Sequence, residues 1–238
     1  MNETVLNMNN KKRNEANLTY KNLLAIILGI FGISFVGGMF FALAAGVYGE
    51  EATKQFSEGY YWLLIDAAAV MLVLFLYKPA RNFIIDIWNI SVLKTGKTYI
   101  YILFGLIIIA LSQYILLGLL GIESAEQQQS QLGTAMLQNS MIQSIIYILS
   151  VAIITPIKEE IIYRGILYRF LEKKYSFLVS MIISSVIFGL LHGGLPITAM
   201  IMGIVFAILY KKTNSIMPSI ILHTFWNLFV SVVTIMSL

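Results

Sequence analysis

The 238-residue chain has only two histidines, and both lie in apolar sequence. His192 closes the run Phe188-Gly-Leu-Leu-His192, and His223 opens His223-Thr-Phe-Trp-Asn227. Upstream is a compact charged group, Lys158-Glu159-Glu160-Ile-Ile-Tyr163-Arg164. On a helix, Glu160 and Arg164 share one face, acid before base, and neutralise each other. Glu159 points about 100° away and is left to face something else. A carboxylate with no cation partner in a low-dielectric site takes a proton more readily, which suits a general base. His223 and Asn227, four apart, point into one cavity. Each group is costly in apolar surroundings unless it meets the others, so together they indicate a site rather than packing.

Two hydrolytic chemistries fit a Glu, two His and an Asn. In the first, Glu159 and His192 hold and polarise a water that attacks a peptide carbonyl, while His223 and Asn227 donate hydrogen bonds to the developing oxyanion. In the second, Glu159, His192 and His223 ligate zinc and leave a position for water. The chain has no HExxH helix, and the second carboxylate needed as base would be Glu160, already paired with Arg164; this favours the metal-free form. No cofactor is firmly implied, with zinc the one candidate. Ser184, Ser185 and Ser219 lie in no nucleophile motif.

The elements that must carry these residues are set by composition. Hydrophobic residues make up 58% of the chain and charged residues 12%, against roughly 45–50% and about 25% in soluble folds. A bilayer can solvate that much apolar surface. The absence of cysteine removes disulfides, thiolate metal sites and a cysteine nucleophile. The net charge of +4 is read by location, and no nucleic-acid partner is expected.

The expected fold class is all-α, a polytopic transmembrane bundle of about seven spans, because every backbone group must be satisfied within the hydrocarbon. The spans fall near 22–48, 60–77, 98–121, 141–162, 177–192, 196–210 and 216–237. Residues 1–21 form a polar tail expected to be disordered and cytosolic, 22–140 the N-terminal transmembrane helices, and 141–238 the catalytic core. With the N-terminus inside, every Lys and Arg except Lys54 falls on the inner side, whereas Glu50, Glu51, Glu58, Glu123 and Glu126 fall outside. A multi-pass protein of the plasma membrane is expected. Asp66, beside Tyr60, Tyr61 and Trp62, reads as an interfacial residue solvated from outside. The depth of His192 relative to His223 depends on whether the break at Gly193-Gly194-Leu195-Pro196 lies within the membrane or in an external loop, and the sequence leaves that open.

Taken in order, Glu159-Glu160-x-x-x-Arg164, Phe188-x-x-x-His192 and His223-x-x-x-Asn227 resemble the three-motif signature of the CPBP family. That family includes CAAX prenyl proteases of the Rce type and bacterial Abi proteins, some tied to bacteriocin self-immunity. The resemblance covers about residues 141–231. It implies an intramembrane endopeptidase acting on a membrane-associated or lipidated peptide or protein. It matches Glu159 to the catalytic glutamate, His192 to the histidine that helps hold water, and His223 and Asn227 to the oxyanion pair. Glu160, Arg164 and Phe188 become structural support. Members are often labelled metalloproteases, while a metal-free glutamate mechanism has also been proposed for them. Two other classes compete: a non-catalytic immunity or regulatory protein that binds a peptide or partner, and a transporter or proton relay using Glu159, Asp66 and the histidines. The chain lacks the repeated halves and paired broken helices of transporters.

Overall fold

The computed structural model describes residues 17–49, 53, 56, 59–138 and 140–238. Most of the expected tail lies outside the described residues, as do Lys11, Lys12, Arg13, Glu50, Glu51, Lys54 and Glu58. Among the described residues there is no strand. The helices are α1 (Tyr20–Tyr48), α2 (Gly59–Leu76), α3 (Lys78–Ile84), α4 (Gly96–Leu119), α5 (Ala125–Leu132), α6 (Met141–Glu172), α7 (Phe177–Leu190), α8 (Pro196–Thr213) and α9 (Met217–Met236).

Six of these, α1, α2, α4, α6, α8 and α9, are long and apolar enough to cross a membrane. The remaining expected span, 177–192, is α7, which has 14 residues. At 1.5 Å per residue it reaches roughly 21 Å, short of the ~30 Å hydrocarbon layer. The outward faces carry large apolar side chains, among them Phe31, Phe35, Phe40, Phe75, Phe104 and Phe229, all exposed. In water that surface would drive aggregation; in lipid it is the matching solvent face. The protein is a multi-pass membrane protein.

Helix α6 runs through the middle, packed against α2, α7 and α9. It is not uniformly α-helical. Thr155–Glu160 is α-helix between two π-helical stretches, Ile148–Ile154 and Ile161–Tyr168. Pro156 has no N–H to donate and its ring crowds the carbonyl four residues back. A local π register re-satisfies the freed backbone groups, and such bulges concentrate at functional sites. Helices α7 and α8 cross closely because Gly203 has no side chain: a Cβ there would lie 2.9 Å from the Ser185 Cα.

Two apolar clusters clamp the charged stretch of α6. One joins α2, α3 and the end of α6 through Val70, Val73, Phe83, Ile84, Ile161 and Phe170. The other, between α4, α7, α8 and α9, is built on Ile109, Phe188, Met202, Phe206, Leu222 and Trp226.

Candidate active site

Glu159, Glu160 and Arg164 on α6 are buried, Glu160 and Arg164 completely. The ion pair expected from the i, i+4 spacing is formed: Arg164 Nη1 donates to Glu160 Oε1 at 2.8 Å. Arg164 Nη2 donates to the Gly203 carbonyl at 3.1 Å. The guanidinium lies 4.7 Å from the Phe188 ring centroid and 4.9 Å from that of Phe206. Two aromatic faces, a carboxylate and a backbone carbonyl thus stabilise a cation with almost no solvent contact.

His192 follows the last turn of α7. Its Nδ1 lies 2.6 Å from the Phe188 carbonyl. A carbonyl only accepts, so Nδ1 carries the hydrogen, and Nε2 is turned toward Glu159. His223, on α9, is 1% exposed and stacks on Phe206 at 4.7 Å. Its Nδ1 is 3.3 Å from Glu160 Oε1, which again directs Nε2 toward Glu159. The two Nε2 atoms lie 4.0 Å (His192) and 3.8 Å (His223) from Glu159 Oε2. That oxygen is buried and has no hydrogen-bond partner. Gaps of this size are too long for direct hydrogen bonds and suit a bridging water.

One turn further along α9, Asn227 Nδ2 donates to the Val151 carbonyl at 3.0 Å. The amide nitrogen has a second hydrogen, and Asn227 lines a cavity of about 80 Å³ shared with His192, His223, Gln113, Gln128 and Thr198. A larger, apolar groove of about 590 Å³ between α1 and α2 is lined by residues such as Phe35, Gly38 and Trp62, none of which belongs to the histidine cluster.

All seven residues singled out by motif (Glu159, Glu160, Arg164, Phe188, His192, His223 and Asn227) therefore fall in one cluster. His192, in the turn after α7, and His223 both approach the same Glu159 oxygen and line one cavity. Two further acids find partners. Asp66, its side chain 40% exposed, is also ion-paired: its Oδ2 accepts from Lys158 Nζ at 2.7 Å and its Oδ1 from Ser34 Oγ at 3.1 Å, tying α1, α2 and α6 together. Glu123 is buried, and it caps α8 by accepting from the Thr198 N–H at 3.1 Å and from the Ile197 N–H. Opposite charges isolated in two separate apolar helices, Asp66 and Lys158, were a usable pairing signal. Glu123 left none, since its partners are backbone groups.

The donor set of Glu159, His192 and His223 is chemically of the zinc type. Tetrahedral zinc with Zn–N of about 2.0–2.1 Å needs ligand atoms roughly 3.3–3.5 Å apart. The gaps here are wider, and among the described residues no group of three or more His, Cys, Asp or Glu has the arrangement to hold a metal ion. The residues as placed do not fit the metal.

The protein is a membrane helix bundle in which two histidines approach one buried glutamate oxygen and share a cavity with an asparagine. Residues 141–229 match the family model described as Type II CAAX prenyl endopeptidase Rce1-like, and this segment holds the whole cluster. Within the chain, 81 residues are 42% identical to the Bacillus subtilis (strain 168) protein named "Putative membrane peptidase YdiL", covering 33% of each chain. The chain thus spans about a third of the length of this curated relative. No solved structure matches the chain.

Proposed function

We propose that the protein is an intramembrane endopeptidase that cleaves a peptide bond of a membrane-associated peptide or protein with a water activated by Glu159 and His192. One observation carries the reading: two histidine Nε2 atoms converge, at 3.8 and 4.0 Å, on a buried Glu159 oxygen that has no partner. The family match of residues 141–229 supports it.

Water between these atoms hydrogen-bonds to the Glu159 carboxylate and to the Nε2 lone pair of His192. Glu159 takes one proton as the water oxygen bonds to the carbonyl carbon. The carbonyl electron pair moves onto oxygen. The oxyanion accepts from the second Asn227 N–H and from the Nε2–H of His223. The C–N bond then breaks, and the proton on Glu159 passes to the leaving nitrogen. Glu160 and Arg164 touch no reacting atom; they hold His223 in orientation.

The test compares low-mass membrane peptides by mass spectrometry in cells expressing wild type, Glu159→Gln, His192→Ala or Glu160→Gln, with protein level monitored. Loss of one cleavage product in the first two variants at normal protein level supports the peptidase. Identical peptide profiles alongside a persisting cellular phenotype would instead mark a binding or regulatory membrane protein.

A further inference from the structure

His192 is the one member of the cluster outside regular helix, in the turn between α7 and α8. Behind it, Nδ1 is tied to Phe188. Ahead of it the chain runs through Gly193 and Gly194, the latter at φ +81°, a conformation that favours glycine. Such a turn needs external contacts to stay in one place.

Those contacts come from outside residues 141–229. Leu195, which precedes α8, provides no side-chain cap. Glu123 supplies the cap from the α4–α5 connection. Its carboxylate accepts from the Ile197 and Thr198 N–H groups and from the Thr198 hydroxyl, the last at 2.5 Å. Beside it, the Ser124 N–H donates to the Gly194 carbonyl at 3.3 Å. The Leu195 N–H in turn donates to the His192 carbonyl at 3.3 Å. Hydrogen bonds from Glu123 and Ser124, joined by the short backbone stretch Gly194–Thr198, therefore tie the α4–α5 connection to the turn that carries His192. A carboxylate at a helix N-terminus is also favoured by the helix dipole.

We infer that Glu123 is a positioning residue for His192: it pins the α7–α8 turn so that the His192 Nε2 stays directed at Glu159. The inference rests on the peptidase reading for its consequence in rate, but not for its geometry.

With only two histidines in the chain, selective ¹⁵N-histidine labelling gives two ring systems, His192 being assigned by its loss in His192→Gln. The experiment uses full-length protein with a non-histidine tag in proteoliposomes, comparing wild type, Glu123→Gln and Thr198→Val by solid-state NMR. The Thr198 variant removes one hydroxyl partner and serves if Glu123→Gln does not accumulate. The expected result is that the His192 ring signals shift or split while those of His223 stay put. On a cleaved peptide, kcat falls by about 10–10²-fold with KM unchanged, in line with the cost of a small misplacement of a catalytic group. Unmoved His192 signals would reduce Glu123 to a helix cap, and equal movement of both histidines would mean general loosening; either overturns the inference. Failure of wild type to cleave any peptide would sink the peptidase reading and leave the ring signals as the judge of Glu123.

Discussion

Glu159 and Glu160 are neighbours in sequence yet face opposite nitrogens of one ring: Glu159 Oε2 is 3.8 Å from His223 Nε2, and Glu160 Oε1 is 3.3 Å from His223 Nδ1. Only Glu160 also meets a cation, Arg164. The two acids should therefore fail differently. Glu159→Gln is expected to lower cleavage by about 10²–10⁴-fold, the span associated with a general base. Its thermal stability in detergent should equal or exceed wild type, because a buried oxygen without a partner is neutralised. Glu160→Gln leaves the Arg164 charge buried without its counter-ion and should cost about 3–5 kcal/mol, visible as poor accumulation or a lowered Tm.

Asp66 and Lys158 form a second ion pair, between α2 and α6, with the Lys158 side chain 7% exposed and that of Asp66 40%. Removing Asp66 strands the buried Lys158 charge, whereas removing Lys158 leaves Asp66 with solvent and Ser34. Asp66→Asn and Lys158→Met should each destabilise the protein, Asp66→Asn the more, and the double variant should be more stable than the Asp66→Asn single. The coupling energy expected from the thermal-unfolding cycle is about 1–3 kcal/mol. Strictly additive effects would mean that the contact contributes nothing.

Gly203 and Gly32 provide a matched contrast. A Cβ on Gly203 meets the Ser185 backbone at 2.9 Å, whereas one on Gly32 meets nothing within 4 Å. Gly203→Ala should splay α7 from α8, disturb the carbonyl that Arg164 uses, and cost about 1–3 kcal/mol. Gly32→Ala should be neutral or stabilising by up to about 1 kcal/mol through helix propensity. Tm values of both variants in the same detergent decide the matter.

Asn227 is assigned to the oxyanion. Asn227→Ala should lower kcat by about 10²–10³-fold, the range seen when one such donor is removed, with KM changed little. An effect confined to KM would place Asn227 in substrate binding instead.

Incubation with a zinc chelator should leave the cleavage rate unchanged, and the purified active protein should carry well under one zinc per chain by elemental analysis. Loss of activity restored by zinc would transfer the chemistry to the metal, with Glu159, His192 and His223 as its ligands.

The sequence by itself determined the membrane-spanning helical class, because span length and apolar composition follow directly from bilayer thickness and backbone hydrogen bonding. It also picked out Glu159, Glu160, Arg164, Phe188, His192, His223 and Asn227, since a polar group in an apolar helix is costly and stands out locally. The Glu160–Arg164 pair was legible because i, i+4 neighbours meet within one helix. Tertiary structure alone decided what those side chains meet. Whether His192 reaches the level of His223 depends on how far α7 extends before it breaks, and on the turn that Glu123 pins. Lys158 finds Asp66 across two helices, 92 residues away in sequence. Glu123 finds backbone N–H groups 74 and 75 residues on. Every residue offers a backbone N–H, so such a partner carries no mark in the sequence; only the packing of helices selects which one a buried carboxylate will meet.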